Sequence, residues 1–230
     1  MNPGSFEQRN ISPKEAIQLQ KELAGQLVIK GKPESVKVIA GIDLAYDKTS
    51  NLGFCSILTF SFPELKLLDI YSLYDTVLFP YIPGLLSFRE GPLILKTLNL
   101  LPKLPDVLIF DGQGIAHPRR LGIAAHIGVL LQIPSIGCAK SHLCGNYSEP
   151  GMNKGDMSVM KDKGEELGYV IRTRKNVKPI FCSPGHLFGI KEAADFLLNC
   201  LGSYRIPEPT RLADIEVDKF KLSVLKTNRE

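Results

Sequence analysis

Apolar residues recur along this chain with two different periods, one typical of helices and one typical of strands. Ser12 is followed by a proline and, three residues on, by Glu15; leucines at helical spacing come next, which predicts an N-terminal amphipathic helix with a capping box. Three apolar runs follow, separated by short polar turns: 36–42, 53–60 and 65–74. Because strands joined by short turns pair with each other, the core is predicted to open with three successive antiparallel strands.

The start of the next predicted helix depends on Pro92. Ser87 and Glu90 fit a capping box, which would make Glu90 a structural residue. Pro92 would then lie inside the helix without the N–H that the helix needs, so a helix that opens at Pro92 is the preferred interpretation. In that case Glu90 lies outside the hydrogen-bonded turns and is free to reach a functional site.

A short, unbroken apolar run at 107–110 is typical of a strand covered on both faces, and it ends in Asp111-Gly112-Gln113-Gly114. The segment 119–131 has helical spacing, and a further short strand is predicted to end at Lys140. Strand, helix and strand in this order form a right-handed crossover, which places Asp111 and Lys140 at the same edge of the sheet. Ligands bind at that edge in open α/β sheets, although an Asp-Gly pair after a strand is also an ordinary turn.

The last third of the chain carries fewer signals, and residues 147–166 predict only a surface loop or hairpin. A basic group between two strand-like runs could follow a phosphate backbone or form a solvated hairpin tip; its members are Arg172, Arg174, Lys175 and Lys178. Two helices follow, and the second, with Thr210 as its predicted cap, places Asp214 in its first turns. The structural alternative for Asp214 is that the helix dipole favours an acid there.

Length and composition favour one soluble domain over residues 1–230. The 230 residues, 44% of them hydrophobic, can bury one sizeable core. Lysines and prolines interrupt the longest apolar stretches, so no membrane span is predicted, and the polar N-terminus predicts no signal peptide. We therefore expect a cytoplasmic protein. Its five cysteines, an odd number without a CxxC pair, indicate reduced thiols rather than a disulfide scaffold. A zinc site at Cys138, His142 and Cys144 would match no familiar spacing.

Four acids lie on separate predicted elements: Asp43 on the first strand, Glu90 beside a helix start, Asp111 at a strand end and Asp214 on the last helix. If they meet, they must hold a metal ion, because an uncompensated acidic cluster is highly unfavourable in a core. A ligand set made only of oxygens selects Mg²⁺ or Mn²⁺, the ions that enzymes use to hydrolyse phosphate esters. The net charge of +4 names no partner, but without these four acids 28 basic residues face 20 acidic ones, a balance of +8 that could hold a nucleic acid.

This order of elements, with acids in these places, resembles the ribonuclease H-like architecture, an α/β fold with a mixed central sheet, antiparallel first three strands and flanking helices. Five motifs, spread over nearly the whole chain, also resemble those of the endonuclease V family. Members of that family are repair nucleases directed at deoxyinosine. The motifs are Ala40–Asp43, Phe79–Glu90, Phe110–Arg119, Ile136–Lys140 and Ser183–His186.

The resemblance implies a Mg²⁺-dependent DNA-repair endonuclease, with Mn²⁺ as a substitute ion. It would cut the second phosphodiester on the 3′ side of a deaminated adenine and leave 3′-hydroxyl and 5′-phosphate ends. Asp43, Glu90 and Asp111 would be the metal-binding acids, Lys140 would contact the scissile phosphate or its nucleophile, and His117 would lie near the site. The implied partner is DNA that contains deoxyinosine, with single-stranded DNA or RNA as further candidates, and we expect a monomer.

The resemblance also assigns the lesion base to a loop and to a backbone pocket. The Tyr81 loop would act as a wedge that fills the space of an extruded base, whereas the residues alone favour a stiff proline-containing loop with its aromatics tucked into the core. Backbone groups around Leu86, Gly112 and Ile123 would line the hypoxanthine pocket, because purine edges must approach the main chain. The residues assigned to substrate binding are Tyr81, Ile82, Pro83, Gly84, Leu86, Gly112, Gln113, Gly114 and Ile123.

One position departs from the family pattern, since some members have histidine where Asp214 stands. Aspartate could still assist the metal, but an imidazole able to donate or shuttle a proton would be missing. Two alternatives stay open: an endoribonuclease acting on inosine-containing RNA, which only contacts to 2′-hydroxyls would separate from the DNA enzyme, and a non-catalytic lesion-binding module. A base-excising glycosylase would not require a four-acid metal centre.

Overall fold

Eight strands and five helices are described in the computed structural model, which covers residues 11–47 and 49–227. The strands are β1 (Val38–Tyr46), β2 (Leu52–Ser61), β3 (Leu67–Thr76), β4 (Val107–Phe110), β5 (Ser135–Ala139), β6 (Met157–Asp162), β7 (Glu165–Ile171) and β8 (Ile180–His186). The helices are α1 (Pro13–Ala24), α2 (Leu86–Leu98), α3 (Ile123–Leu131), α4 (Ile190–Leu198) and α5 (Glu208–Thr227). Within these described ranges, no helix is long and apolar enough to cross a membrane.

All eight strands join one mixed sheet, in the order β3-β2-β1-β4-β5-β8-β7-β6. β1, β2 and β3 pair antiparallel, as the sequence predicts, whereas β4 lies parallel to both β1 and β5. The predicted ribonuclease H-like arrangement is therefore confirmed. In the parallel pair Ile42 lies opposite Phe110, so Asp43 and Asp111, the residues that follow them, are neighbours on adjacent strands.

Helices cover both faces of the sheet, which explains why its central strands are apolar at almost every position. α4 and α5 cover one face, where Ile39 and Ile109 form a core cluster with alanines of both helices. α2 and α3 cover the other face, where Ile42 and Phe110 pack against apolar side chains of both helices. Val107–Phe110 is buried at all of its positions, as expected for a strand covered on both sides.

The start of α5 lies directly on β1 because β1 has a glycine at that point. A Cβ atom at Gly41 would come within 2.1 Å of the Pro209 carbonyl oxygen, so a larger residue would displace the helix. Asp214 lies about one and a half turns further along α5. The close approach of helix and strand therefore brings Asp214 next to Asp43, two residues beyond Gly41.

The start of α2 differs from both interpretations of the sequence. The helix begins at Leu86 and no side chain caps its N-terminus, so neither a capping box at Ser87 nor an opening at Pro92 is found. Ser87 is buried, and its hydroxyl forms a 2.8 Å hydrogen bond with Nδ1 of His126 on α3. Pro92 lies within a helix that is stabilised by burial of its apolar face rather than by its cap. Glu90 is therefore a helical residue.

Two other predicted boundaries also shift. α3 begins at Ile123 and not at 119. α5 begins at Glu208, so Thr210 is not its cap but a buried residue of its first turn, and its hydroxyl donates to the Pro207 carbonyl oxygen at 3.3 Å. The predicted cap at Thr210 therefore does not decide where α5 begins.

The basic group after β7 separates into one buried residue and three exposed ones. Arg172 is buried and donates hydrogen bonds to backbone or side-chain oxygens of Glu149, Pro150, Gly151 and Val177. Because its guanidinium is occupied within the protein, Arg172 anchors the chain and does not follow a phosphate backbone. The exposed members are Arg174, Lys175 and Lys178.

Candidate active site

Three aspartates meet where β1 and the end of β4 lie side by side. One carboxylate oxygen from each of Asp43, Asp111 and Asp214 lies within 4.8 Å of the others. β1 carries Asp43, Asp111 follows β4, and Asp214 comes from α5, which packs over both strands. In the part of the chain that the structure describes, this is the one group of acids, histidines or cysteines with the spacing to hold a metal ion.

The ammonium group of Lys140 lies between two of these aspartates. Its Nζ is 2.5 Å from Oδ2 of Asp111 and 3.2 Å from Oδ1 of Asp214. The β4–α3–β5 crossover places Asp111 and Lys140 at one edge of the sheet, as the sequence predicts. One cation therefore offsets only part of the charge of three acids.

The pKa values of Asp43 and Asp111 show how poorly these two carboxylates are compensated. Burial, followed by the charge of Asp111, raises the pKa of Asp43 to about 8, and burial also raises the pKa of Asp111. Burial acts to lower the pKa of Lys140, but the hydrogen bond and charge of Asp111 outweigh it and raise that pKa. Carboxylates that resist ionisation in this way need further positive charge, and an all-oxygen donor set fits a divalent cation.

Glu90, the fourth acid of the predicted cluster, lies outside the group of three. It comes from α2, which packs on the opposite face of the sheet from α5, and its carboxyl is buried beside the side chain of Tyr46. Burial raises the pKa of Glu90 to about 7, and the charge of Asp111 acts in the same direction. Glu90 is thus electrostatically linked to Asp111 without sharing the position where the aspartates meet.

The structure does not bring Cys138, His142 and Cys144 together as a metal site. Cys138 is buried in the core, and the ring of His142 packs against Tyr147 and Phe181. With Cys144 these residues form no group of metal spacing among the described positions. All five cysteines are free thiols, in agreement with the sequence prediction.

Glycines after β4 allow three elements to meet beside Asp111. A Cβ atom at Gly112 would lie 2.7 Å from the Ile123 side chain, and one at Gly114 would lie 2.1 Å from the Pro184 carbonyl oxygen. The side-chain oxygen of Gln113 is buried and has no hydrogen-bond partner within the described ranges. The start of α3 and the end of β8 therefore pack tightly against this loop. A side chain at Gly112 or Gly114 would prevent this close packing.

The proline-containing loop before α2 presents one aromatic side chain to solvent. Tyr81 is 71% exposed, whereas Phe79 and Ile82 pack against a buried cluster that includes Phe88. The prediction of tucked side chains is therefore right for Phe79 and Ile82 and wrong for Tyr81. Leu86, at the start of α2, is 39% exposed.

The base of the Tyr81 loop is fixed at the carbonyl oxygen of Gly84. Three side-chain nitrogens lie within hydrogen-bonding distance of that atom: Nε2 of Gln20 at 3.0 Å, Nη2 of Arg119 at 2.6 Å and Nε2 of His117 at 3.1 Å. Arg119 also donates from Nε to the side-chain oxygen of Gln20 at 2.5 Å. Gly84 has a φ of +78°, a left-handed conformation that favours glycine. We call these contacts the Gly84 clamp.

His117 belongs to the Gly84 clamp and not to the aspartate group. Its Nδ1 accepts the N–H of Arg119 at 3.2 Å, which assigns the ring proton to Nε2 as the donor to Gly84. Burial, followed by the charge of Arg119, lowers the pKa of His117 to about 4. The imidazole is therefore neutral at pH 7, and its contacts make it a support for the Tyr81 loop.

Two residues at the site, Gln20 and Arg205, were missed by the sequence interpretation. Gln20 is fully buried on α1, and a polar residue one turn after Ala16 on an otherwise apolar stripe is a signal that could have found it. Arg205 donates from Nη2 to the Lys140 carbonyl oxygen at 2.7 Å, across 65 positions of sequence. No local pattern marks a contact of that kind.

Replacing Asp43 with asparagine is expected to stabilise the protein in the absence of divalent ions. The folded Asp43 carboxyl has a pKa of about 8 against an ordinary 3.8, so its ionisation costs stability increasingly as the pH rises between those values. Asp43→Asn should raise the melting temperature by roughly 5 °C or more at about pH 8.5 and much less at about pH 5. Thermal unfolding of the native protein and the variant in EDTA measures this change in melting temperature at each pH.

Asp47→Asn is the matched control for this prediction. Hydrogen bonds from Ser50 and Thr49 lower the pKa of Asp47 to about 2, so its carboxylate is ionised in folded and unfolded chains throughout the tested range. Its replacement should lower the melting temperature slightly and equally at both pH values. A gain in Asp43→Asn that does not change with pH would contradict the raised pKa of Asp43.

Replacing Gln20 with leucine removes one donor to Gly84 and the acceptor for Nε of Arg119. We expect a loss of about 2–4 kcal/mol in the free energy of unfolding and faster hydrogen exchange of the amides of residues 79–85. Gln18→Leu is the control, because Gln18 is exposed on the same helix and bonds Glu22, and it should change stability by less than about 0.5 kcal/mol. Equal exchange in the two variants would argue against the clamp.

Known proteins that are similar to this chain in sequence and fold are named as nucleases. The family model for Endonuclease V matches residues 21–215, and Endonuclease V of Kosmotoga olearia is 48% identical over 215 residues, which is 92% of this chain and 93% of the relative. The crystal structure of Endonuclease V from Streptomyces avermitilis has a TM-score of 0.89 at 34% identity and covers 95% of this chain and 96% of its own. Endonuclease V from Ciona intestinalis, in complex with a 24mer DNA containing an inosine followed by a ribo-adenosine, has a TM-score of 0.80 at 28% identity, covering 92% of this chain and 98% of its own. This chain therefore belongs to the Endonuclease V family of nucleases.

Proposed function

We propose that this protein is a Mg²⁺-dependent DNA-repair endonuclease that recognises deoxyinosine and hydrolyses the second phosphodiester bond on its 3′ side. The products would carry 3′-hydroxyl and 5′-phosphate ends. The observation that carries this proposal is the meeting of Asp43, Asp111 and Asp214 with Lys140 at one edge of the sheet. Family membership, and the inosine-containing DNA bound by the Ciona protein, support the choice of lesion.

Asp43 and Asp111 would hold the metal ion, with Asp214 as a further ligand from the same 4.8 Å group. Glu90 would be a further metal-binding acid, reaching the ion from α2. The charge of Asp111 already raises the pKa of its carboxyl. A divalent ion bound there would supply positive charge to the phosphate under attack and to the leaving oxygen. Mg²⁺ is the proposed ion and Mn²⁺ a substitute, because both prefer oxygen ligands.

Lys140 would contact the scissile phosphate. Its ammonium group is held by Asp111 and Asp214, which direct it to the point where the acids meet. These acids raise its pKa, so Lys140 stays protonated at neutral pH and can donate hydrogen bonds to phosphate oxygens. We assign it a role in orienting the phosphate and neutralising its charge, and not one as a general base.

The extruded base would be recognised by the Tyr81 loop and by backbone next to Gly112. Tyr81 is exposed on a loop whose base the Gly84 clamp holds, so its ring can enter a duplex without the loop first having to become ordered. Gly112 packs against Ile123, and the backbone there would bond the hypoxanthine edge together with that of Leu86. The remaining members of the proposed group are Ile82, Pro83, Gly84, Gln113 and Gly114.

A second candidate function is cleavage of inosine-containing RNA. The Ciona protein is bound to a DNA strand in which a ribo-adenosine follows the inosine, so that relative accommodates a 2′-hydroxyl beside the lesion. A non-catalytic lesion-binding role is less well supported, because it would not need three converging aspartates whose charges repel one another.

Incision of end-labelled strands tests the proposed function. Three matched strands carry deoxyinosine, riboinosine or deoxyadenosine at one position, each with Mg²⁺ or with EDTA. We expect the deoxyinosine strand to be cut one nucleotide beyond the lesion in Mg²⁺ alone, and Asp111→Asn to lose about 100-fold or more of the rate. Faster cutting of the riboinosine strand would select the second candidate, and equal cutting of the deoxyadenosine strand would contradict both.

Replacing Tyr81 with alanine should weaken binding of deoxyinosine DNA by about tenfold, because the stacking ring is lost, and leave metal binding unchanged. Fluorescence anisotropy measures the affinity for DNA, and isothermal titration calorimetry with Mn²⁺ measures the affinity for the metal. Leu78→Ala is the matched control, since Leu78 is 70% exposed three residues earlier and has no assigned role. Equal losses of DNA and metal binding in Tyr81→Ala would contradict the wedge.

A further inference from the structure

The loop between β7 and β8, residues 172–179, carries three exposed positive charges that the catalytic site does not use. They belong to Arg174, Lys175 and Lys178. Among the ion pairs formed by the described residues, none joins these three side chains to an acid. Their charge is therefore available to an anionic partner in solution. We call this segment the β7–β8 loop.

Arg205 fastens both ends of the β7–β8 loop. Its carbonyl oxygen accepts the hydroxyl of Thr173 at 2.6 Å. Its guanidinium donates to the carbonyl oxygens of Lys178 at 2.9 Å and Pro179 at 2.8 Å. The same Nη2 also donates to the carbonyl oxygen of Lys140 at 2.7 Å, so a single side chain joins the loop to the residue that faces the aspartates.

The interior of the loop is also held in place. Arg172 donates to the Val177 carbonyl oxygen at 2.5 Å, and the Asn176 N–H donates to the Met152 carbonyl oxygen at 3.1 Å. Asn176 has a φ of +58°, a left-handed conformation that asparagine tolerates better than most residues. Because these contacts already order the backbone of the loop, binding of a ligand to its exposed side chains costs little backbone conformational entropy.

These observations favour a phosphodiester backbone as the partner. A nucleic-acid strand that places one phosphate at Lys140 continues past it with a negative charge about every 3.4 Å along each strand. The β7–β8 loop lies beside Lys140 because Arg205 contacts both. A strand that leaves the site on this side meets three cations whose backbone is already ordered.

We propose that the β7–β8 loop binds backbone phosphates of the substrate strand outside the incision site, through Arg174, Lys175 and Lys178. This inference rests on the proposed function, because it takes the substrate to be a nucleic-acid strand cut at the aspartates. The contacts would be to phosphates and not to bases, so they would position the strand without adding sequence or lesion preference.

The test compares two triple variants of equal charge in the full chain. The loop variant is Arg174→Gln, Lys175→Gln and Lys178→Gln. The control is Lys37→Gln, Lys66→Gln and Lys103→Gln, which are exposed and lie at the opposite edge of the sheet, where β1 and β4 begin and β2 turns into β3. Binding of a fluorescent duplex is measured by anisotropy in EDTA over a series of salt concentrations, with deoxyinosine and with deoxyadenosine at the same position.

For the loop variant we expect affinity to fall by about tenfold or more at low salt, by the same factor for both duplexes. The slope of log affinity against log salt should become shallower by about 2–3, since each lost phosphate contact on duplex DNA accounts for about 0.9. Duplexes shortened from one end should lose this difference between native and variant protein, which would mark the side on which the loop binds. Equal effects in the loop variant and the control would overturn the proposal.

The failure of this inference can be told apart from failure of the proposed function. If the native protein cuts the deoxyinosine strand but the loop variant keeps the native salt slope, the loop does not bind the backbone. If no strand is cut and the loop variant still shows the shallower slope on both duplexes, the loop binds backbone and the proposed nuclease specificity is wrong.

Discussion

Mutual repulsion between three partly buried aspartates is the constraint on which the site depends. Asp43, Asp111 and Asp214 bring oxygens within 4.8 Å of one another, and burial raises the pKa of Asp43 to about 8. Lys140 contacts two of them but offsets only part of their charge. A fold keeps such a group only if the surrounding packing holds it and a further cation relieves the repulsion, which is the physical basis of the metal-dependent reaction proposed above.

The three aspartates are brought together mainly by the geometry of the backbone, and less by contacts of their side chains. Parallel pairing of β1 with β4 sets Asp43 beside Asp111, and the absence of a side chain at Gly41 lets α5 approach closely enough to bring Asp214 over them. Hydrophobic clusters cover both faces of the sheet that carries these elements. The free energy gained by burying those apolar side chains opposes the repulsion between the aspartates.

A second structural unit, separate from the aspartates, prepares the Tyr81 loop. The Gly84 clamp draws Gln20 from α1 and Arg119 and His117 from the segment after β4 onto one carbonyl oxygen. Neutral His117 serves this unit, so a residue whose type indicates acid-base chemistry acts here as a hydrogen-bond donor to the main chain. The proposed chemistry and the proposed base recognition would thus depend on different networks, and both networks include residues of the loop after β4.

Local sequence signals determined the features that need only neighbouring residues. The capping box at Ser12, the three antiparallel strands and the strand at Val107–Phe110 all form as predicted, and the crossover rule was sufficient to bring Asp111 to Lys140. Tertiary structure alone decided where α2 begins, because burial of its apolar face outweighs Pro92. It also set Glu90 apart from the three aspartates, because α2 and α5 pack on opposite faces of the sheet. It also recruited Gln20 and Arg205, whose hydrogen bonds join residues far apart in the chain; such contacts depend on how whole elements pack, which no local pattern of residues contains.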